Sequence, residues 1–369
     1  MPFLNDMLDD IKTRNREAEE TAREERAVRD AGKLVTRFTF DVDAIVSTLY
    51  RSIVGQDPAI AAIEEVLKVV RADISDPDRP LFVCLFLGPT GVGKTESVRL
   101  LAEAIHGDRN AFCRVDMNTL SQEHYSAALT GAPPGYVGSR EGSTILDEDK
   151  IKGSFSRPGI VLFDEIEKAS QEVVQALLNV FDTGLMTIAS GEKTIDFRNA
   201  MIFMTSNIAA RDIQRQAGAA AALKARLSPF TTPGRTLDRV VERRLAQHFE
   251  PEFINRIDNI TTFSWIDGDR VRDLIGLEVE RLNRRIAKHH VRIVLDDGGA
   301  RFLARVGFDR KFGARALKRA MRRYLEVPLA EFLIERGSAS DDSSAPAATY
   351  LAAFDDGKVT FVRHGGEEG

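Results

Sequence analysis

The hydrophobic pattern of this chain alternates between short, unbroken apolar runs and longer stretches with apolar residues at helical spacing. The runs predict strands over residues 81–87, 160–165 and 201–205. Unbroken runs of this length are typical of strands buried on both faces of a parallel sheet. Residues 95–105 instead predict a helix, because Val98, Leu101 and Ile105 fall on one face. The fold class predicted is α/β, with a parallel sheet.

A smaller set of elements is predicted after residue 263. These elements are a helix over 271–286, a strand over 291–295, a helical stretch over 314–335, and a hairpin with arms at 349–354 and 359–362 that turns at Asp356-Gly357. This mixture indicates a second, α+β domain. We therefore divide the chain into an extension at residues 1–37, a large domain at 38–264 and a small domain at 265–369.

The extension begins with an amphipathic pattern and continues as a highly charged stretch. Its apolar residues share one helical face: Phe3, Leu4, Met7, Leu8 and Ile11. Residues 12–33 are nearly all charged residues and alanine. Two interpretations stay open, since such a segment is either a frayed terminus or helix that covers a core edge, or a helix that docks a partner such as an adaptor.

Composition narrows the classes of function. The chain has 369 residues, 43% of them hydrophobic, and a net charge of −5, which argues against a broad nucleic-acid interface. No apolar run is long enough to cross a membrane and no signal peptide is visible, so we expect the cytoplasm and no membrane partner. Cys84 and Cys113 lie in apolar stretches, and we interpret both as core residues.

The first predicted strand runs directly into a phosphate-binding loop. The loop has the Walker A pattern G-x-x-x-x-G-K-[ST] and consists of Gly88, Pro89, Thr90, Gly91, Val92, Gly93, Lys94 and Thr95. In such a loop the backbone N–H groups surround phosphate oxygens, while a lysine reaches the β and γ phosphates. Lys94 has this position, and Thr95 is the expected Mg²⁺ ligand. A nucleoside triphosphate is the predicted ligand.

Polar residues at the ends of the other two strands complete a candidate site. Asp164 and Glu165 have the Walker B positions, where Asp164 holds Mg²⁺ and Glu165 orients the attacking water as the catalytic base. Asn207 follows the third strand, where it either holds that water or is only a turn residue. Upstream, Val54 and Gly55 are candidates for the purine pocket.

Taken together, the motifs identify a resemblance. The matching stretches, in order, are residues 54–57, 88–95, 131–138, 162–168, 196–199, 204–207, 251–258 and 313–319. The chain resembles AAA+ ATPases of the Clp unfoldase family, above all the C-terminal ATPase module of the two-ring Clp chaperones. The resemblance implies an AAA+ P-loop large domain, a small domain of the Clp D2-small type, and ATP with Mg²⁺ as cofactors.

The same resemblance assigns roles to further residues. It implies that Asn207 is the first sensor, that Arg256 is an arginine finger acting on the neighbouring subunit, and that Arg315 is a second sensor contacting the nucleotide. It also puts Tyr136 and Val137 on a pore loop that grips substrate. Alternatives remain, namely a surface salt bridge for Arg256, a solvated helix position for Arg315 and an ordinary loop aromatic for Tyr136.

These roles predict a chaperone and unfoldase that works as a single ring, a homohexamer, and moves protein clients through a central pore. The alternative is an assembly or regulatory AAA+ ATPase that rearranges one dedicated complex without threading it. A nucleic-acid motor is disfavoured by the acidic charge and by the Gly-Tyr-Val-Gly loop.

A peptidase partner is unsupported by the sequence. Residues 216–235 lack the tripeptide of peptidase-docking relatives, and the similar Ile275-Gly276-Leu277 falls within the helix predicted over 271–286.

Overall fold

The computed structural model describes residues 35–120, 145–187, 194–210, 234–266, 268–307, 314–339, 348–355 and 357–364. The chain divides into two compact units. The first unit contains Asp57–Leu87 and Lys94–Thr262, and the second contains Arg51–Gln56, Gly88–Gly93 and the chain from Phe263 onward. Two short segments from the N-terminal half thus belong to the C-terminal unit. The predicted boundaries after residues 37 and 264 stay predictions.

The first unit is built on a parallel sheet of five strands, in the order β2-β3-β6-β1-β7. The strands up to residue 262 are β1 Phe82–Leu87, β2 Cys113–Asp116, β3 Gly159–Asp164, β4 Leu185–Thr187, β5 Thr194–Asp196, β6 Ala200–Ser206 and β7 Asn259–Thr262. Strands β4 and β5 pair with each other as a separate antiparallel ribbon. The predicted α/β class with a parallel sheet is confirmed.

In the described part of this region, two helices precede β1 and five lie between later strands. They are α1 Val42–Ser52, α2 Asp57–Arg71, α3 Lys94–His106, α4 Glu148–Lys152, α5 Gln171–Thr183, α6 Gly234–Leu245 and α7 Pro251–Asn255. Helix α3 buries Val98, Leu101 and Ile105, the apolar face that the sequence predicts. Helix α5 ends at Gly184, whose left-handed conformation (φ 64°) stops the helix.

The centre of the sheet explains the unbroken apolar runs. Every residue of β3 and every residue of β6 is buried, because helices or loops cover both faces of the sheet. The main core contains Val161, Phe163 and Ile202 from these strands. The predicted strand over 160–165 is shifted by one residue, since β3 runs from Gly159 to Asp164 and Glu165 has a left-handed backbone (φ 60°, ψ 53°).

The second unit combines four helices with a small sheet in its described part. Its elements are α8 Val271–Ile286, β8 Val291–Leu295, α9 Asp297–Gly307, α10 Ala314–Met321, a π-helical segment Arg322–Glu326, α11 Val327–Ala339, β9 Ala348–Asp355 and β10 Lys358–Arg363. Strand β9 pairs in parallel with β8 and antiparallel with β10. The predicted α+β composition and hairpin are confirmed. Ile275-Gly276-Leu277 lies inside α8, as predicted.

A buried amide holds the outer edge of β8. Asn283 of α8 is 9% exposed, and its Nδ2 donates to the carbonyl oxygen of Ile293 at 2.9 Å. The Ile293 N–H donates back to Asn283 Oδ1, also at 2.9 Å. The side-chain amide therefore pairs with the strand as a neighbouring backbone would.

Within the described ranges, no helix is both long and apolar enough to cross a membrane.

Candidate active site

The phosphate-binding loop has a backbone that only glycine accommodates easily. Gly88, Gly91 and Gly93 have φ values of 143°, 78° and 115°. A Cβ atom on Gly88 would lie 2.3 Å from the carbonyl oxygen of Phe263, and one on Gly93 would lie 3.3 Å from Ile53 Cγ2. The glycines thus satisfy both the positive φ and the close packing of the loop.

Within the second unit, other segments contact the Gly88–Gly93 part of this loop. The N–H of Ala314 donates to the carbonyl oxygen of Gly91 at 3.2 Å, so the exposed Arg315 comes one residue after a contact with the loop. Gln56 holds the backbone of Ser264 through two hydrogen bonds of 2.8 and 2.9 Å. Val54, two residues earlier, packs against the apolar core of this unit. The roles expected for Val54, Gly55 and Arg315 in nucleotide binding stay predictions.

Lys94 opens α3 and is only 7% exposed. Its Nζ donates to Asn207 Oδ1 at 3.0 Å. The backbone N–H of Asn207 in turn donates to Glu167 Oε1 at 3.1 Å, which fixes the turn after β6. The structure therefore brings the loop lysine and the proposed sensor side chain into direct contact within the first unit.

Asp164 lies at the carboxyl end of β3 and is 9% exposed. Thr205 of the adjacent β6 donates its hydroxyl to Asp164 Oδ1 at 2.5 Å, and the N–H of Glu165 donates to that hydroxyl at 3.0 Å. Arg114 of β2 donates from Nη2 to Asp164 Oδ2 at 2.6 Å. One threonine thus fixes the carboxylate and the backbone of the next residue together.

Glu165 turns away from the sheet through its left-handed backbone. This conformation costs a non-glycine residue about 1–2 kcal/mol, so its surroundings must hold it. Its Oε2 accepts a hydrogen bond of 2.6 Å from Asn118 Nδ2, and the same nitrogen donates to Asp116 Oδ1 at 3.0 Å. Asp164 and Glu165 therefore have different side-chain partners. Both partners, Arg114 and Asn118, come from β2 or the turn after it.

Sequence patterns alone did not identify Thr205, Arg114 or Asn118. A usable signal was present, because parallel pairing aligns Asp116 with Asp164 and brings the polar residues around the end of β2 beside the carboxylate pair. The register of the strands was needed to use this signal.

Arg256 follows α7 and is engaged within its own chain. Its Nε lies 2.8 Å from Asp182 Oδ1 of α5, and its side chain is 41% exposed. This contact matches the alternative of a surface salt bridge for the single chain. The role of Arg256 at a neighbouring subunit stays a prediction.

Both cysteines are buried free thiols, and burial disfavours their charged form. It raises the pKa of Cys84 to about 12 and also raises the pKa of Cys113. Cys84 is in β1 and Cys113 is in β2, so the prediction that both are core residues is confirmed.

Other predicted features lie outside the described residues. These are the amphipathic segment of residues 1–34, the loop with Tyr136 and Val137, Gly313, and nearly all of residues 216–235.

Comparison with known proteins agrees with this geometry. Residues 79–260 match the family "AAA domain (Cdc48 subfamily)", and residues 266–345 match the "C-terminal, D2-small domain, of ClpB protein". The chain is 54% identical to the ATP-dependent protease ATP-binding subunit-like protein AmiB of Pseudomonas aeruginosa, over 98% of this chain and 100% of the relative. A similarly named protein of Rhodococcus erythropolis is 38% identical over 91% of this chain and 93% of its own length.

Longer Clp proteins match over only part of their length. Chaperone protein ClpB 1 of Thermosynechococcus vestitus is 40% identical over 78% of this chain but 31% of its own length. Two family models in tandem, together with relatives that align nearly end to end, show the relationship. The chain belongs to the Clp-type AAA+ ATPases, and it binds and hydrolyses ATP.

Proposed function

We propose that this protein uses ATP hydrolysis to remodel other protein chains, working in the cytoplasm as a single ring of six copies. One observation carries the proposal. The start of α3 and the ends of β3 and β6 hold Lys94 against Asn207, and Asp164 and the backbone of Glu165 against Thr205, which supports the phosphoryl-transfer roles proposed for these side chains. Membership of the Clp family supports protein substrates.

The chemistry follows from these side chains. The glycine loop and Lys94 bind the phosphates, and Glu165 accepts a proton from the attacking water. Thr95 and Asp164 would hold Mg²⁺, whose preference for hard oxygen ligands fits a hydroxyl and a carboxylate. When bound, this ion neutralises charge on the β and γ phosphates. Asn207 positions the water or the γ phosphate while it holds Lys94.

Arg256 connects hydrolysis to assembly in this proposal. A guanidinium supplied by a neighbouring subunit raises turnover about 10³- to 10⁵-fold in comparable NTPases. Such a head-to-tail interface closes into a ring when its rotation permits. To act in this way, Arg256 exchanges Asp182 for the neighbour's nucleotide, and at 41% exposure the exchange costs little.

The mechanical step is assigned to Tyr136 and Val137. A flat amphipathic ring grips chains of any sequence through apolar contact, which suits a pore loop. The apolar face of Phe3, Leu4, Met7 and Leu8 is the proposed docking site for an adaptor.

The decisive test measures unfolding of a tagged, stably folded client together with ATPase activity. We expect Tyr136→Ala to keep ATP hydrolysis and hexamer formation but to lose client unfolding, while the matched Tyr136→Phe keeps much of it. Unchanged unfolding by Tyr136→Ala rings would instead favour an assembly ATPase that docks without threading. Clients trapped on Glu165→Gln rings in ATP would then identify the complex involved.

The trans role of Arg256 has its own test. Arg256→Ala subunits should bind ATP but reduce ring turnover, and mixing them with Lys94→Ala subunits should restore part of it. No recovery in verified mixed rings contradicts a finger acting between subunits.

A further inference from the structure

Both oxygens of the Asp164 carboxylate already have side-chain partners in this structure. Thr205 donates to Oδ1 at 2.5 Å, and Arg114 donates to Oδ2 at 2.6 Å. The side chain of Asp164 is 12% exposed, whereas that of Arg114 is 42% exposed. A largely buried carboxylate therefore has one neutral partner and one cationic partner.

The two partners differ in how easily they can leave. Thr205 is 1% exposed and also accepts a hydrogen bond from the backbone of Glu165, so it is fixed in place. Arg114 lies on β2, one of the two edge strands of the sheet in the part of the chain that the structure describes, and its side chain is partly exposed to solvent. Water can solvate Arg114 after it leaves, and its long stem allows the movement.

A second cation competes for the position that Arg114 occupies. Mg²⁺ needs the carboxylate oxygens of Asp164, and a guanidinium within hydrogen-bond distance of the same oxygen repels it. Arg114 and Mg²⁺ therefore compete for the carboxylate of Asp164.

We propose that Arg114 is a positioning residue that neutralises Asp164 without Mg²⁺ and leaves Oδ2 when Mg²⁺ and nucleotide bind. The inference rests on the proposed role of Asp164 in holding Mg²⁺. It gives the chain a way to keep the buried carboxylate paired between turnovers, since an unpaired buried charge is strongly destabilising. It also predicts an unusual sign, because removing Arg114 improves the response to Mg²⁺.

The test measures binding of a fluorescent, non-hydrolysable ATP analogue at equilibrium. The informative quantity is the dissociation constant without Mg²⁺ divided by that with saturating Mg²⁺. We expect Arg114→Ala and Arg114→Gln to raise this ratio about 3- to 10-fold, the range for a partly exposed charge-assisted hydrogen bond. Glutamine keeps a polar side chain without the charge, so it serves where alanine destabilises the fold. An unchanged or smaller ratio in the folded variants overturns the inference.

Arg109→Ala is the matched control. Arg109 is 43% exposed and pairs with Glu96 at 2.6 Å and with Glu103 at 3.4 Å, so it resembles Arg114 in exposure and in its short ion pair but has other partners. Its ratio should stay at the wild-type value. Asp164→Asn separates the two levels of the proposal. If this variant keeps the wild-type ratio, the role of Asp164 itself fails; if it loses the Mg²⁺ effect while the Arg114 variants show no increase, only the inference fails.

Discussion

The five-stranded sheet of the first unit and the three-stranded sheet of the second differ in how deeply their strands are buried. Strands β3 and β6 are buried at every position, while β8 alternates and β10 is mostly exposed. The buried strands end in Asp164 and in the turn to Asn207, so their position sets the positions of these two proposed site residues. A fully enclosed strand cannot shift without disturbing its neighbours, and this rigidity suits a site that must align several side chains.

The largest expected effect is on ATP turnover. It comes from removing the carboxylate of a glutamate at a buried strand end, compared with one on a solvated helix. Glu165→Gln should lower the turnover number about 10²- to 10³-fold, because general-base catalysis contributes at this level. ATP binding should remain, since glutamine keeps the shape. The control is Glu331→Gln on α11, which is exposed and should keep wild-type turnover. Steady-state ATPase assays and nucleotide titration decide the result, and near-normal turnover by Glu165→Gln would make another residue the base.

Core truncation tests the difference in burial directly. Ile202→Ala in β6 removes a fully buried side chain and should lower the free energy of unfolding by about 2–5 kcal/mol. Val362→Ala in β10 removes a side chain that is 58% exposed, so its effect should stay below about 1 kcal/mol. Urea unfolding followed by circular dichroism measures both variants. Equal losses would show that the two sheets contribute alike.

Thr205, which hydrogen-bonds to Asp164 and to the backbone of Glu165, allows a test with a smaller expected effect. Thr205→Val removes the donor to Asp164 and the acceptor for the Glu165 N–H. We expect about a tenfold fall in turnover, because the loss of these two hydrogen bonds should raise the barrier by about 1.4 kcal/mol. Thr205→Ser retains the hydroxyl and should stay within about threefold of wild type. If valine is tolerated as well as serine, the hydroxyl does not position the pair.

Asp258, just before β7, gives the smallest expected effect. Burial raises its pKa above the ordinary value of 3.8, although its carboxylate accepts from the Val83 N–H at 2.8 Å. Because the folded-state pKa is the higher one, stability is lost as pH rises above 3.8 through that pKa. Asp258→Asn should reduce this fall in the free energy of unfolding, and the reduction should be less than about 1 kcal/mol. Thermal unfolding between about pH 4 and 7 measures it, and an unaltered slope would contradict the assignment.

Much of the first unit was predictable because its signals are local. A Walker A loop between an apolar run and an amphipathic helix determines β1, the glycine backbone and α3. The sequence also predicts the carboxylate pair. It does not predict that Glu165 leaves the strand, since this depends on the hydroxyl of Thr205, which is 40 residues away in the chain.

Contacts between separate strands were harder to anticipate. Arg114 looks like any exposed residue of an alternating strand until β2 and β3 are aligned. Likewise, the ion pair between Asp182 of α5 and Arg256, the residue after α7, depends on a packing that no local pattern encodes. The π-helical segment within the predicted helix over 314–335 also has no sequence signal that we recognise.

The amide of Asn283 has a consequence for solubility. Strand β8 is an edge strand, and a bare edge offers N–H and C=O groups to which another chain can add as an extra strand. Asn283 occupies both groups of Ile293, at the middle of that edge. An incoming strand would have to displace a buried side chain before it could pair with Ile293. Asn283 thus protects the middle of this edge against an added strand, an advantage for a protein expected to handle unfolded chains.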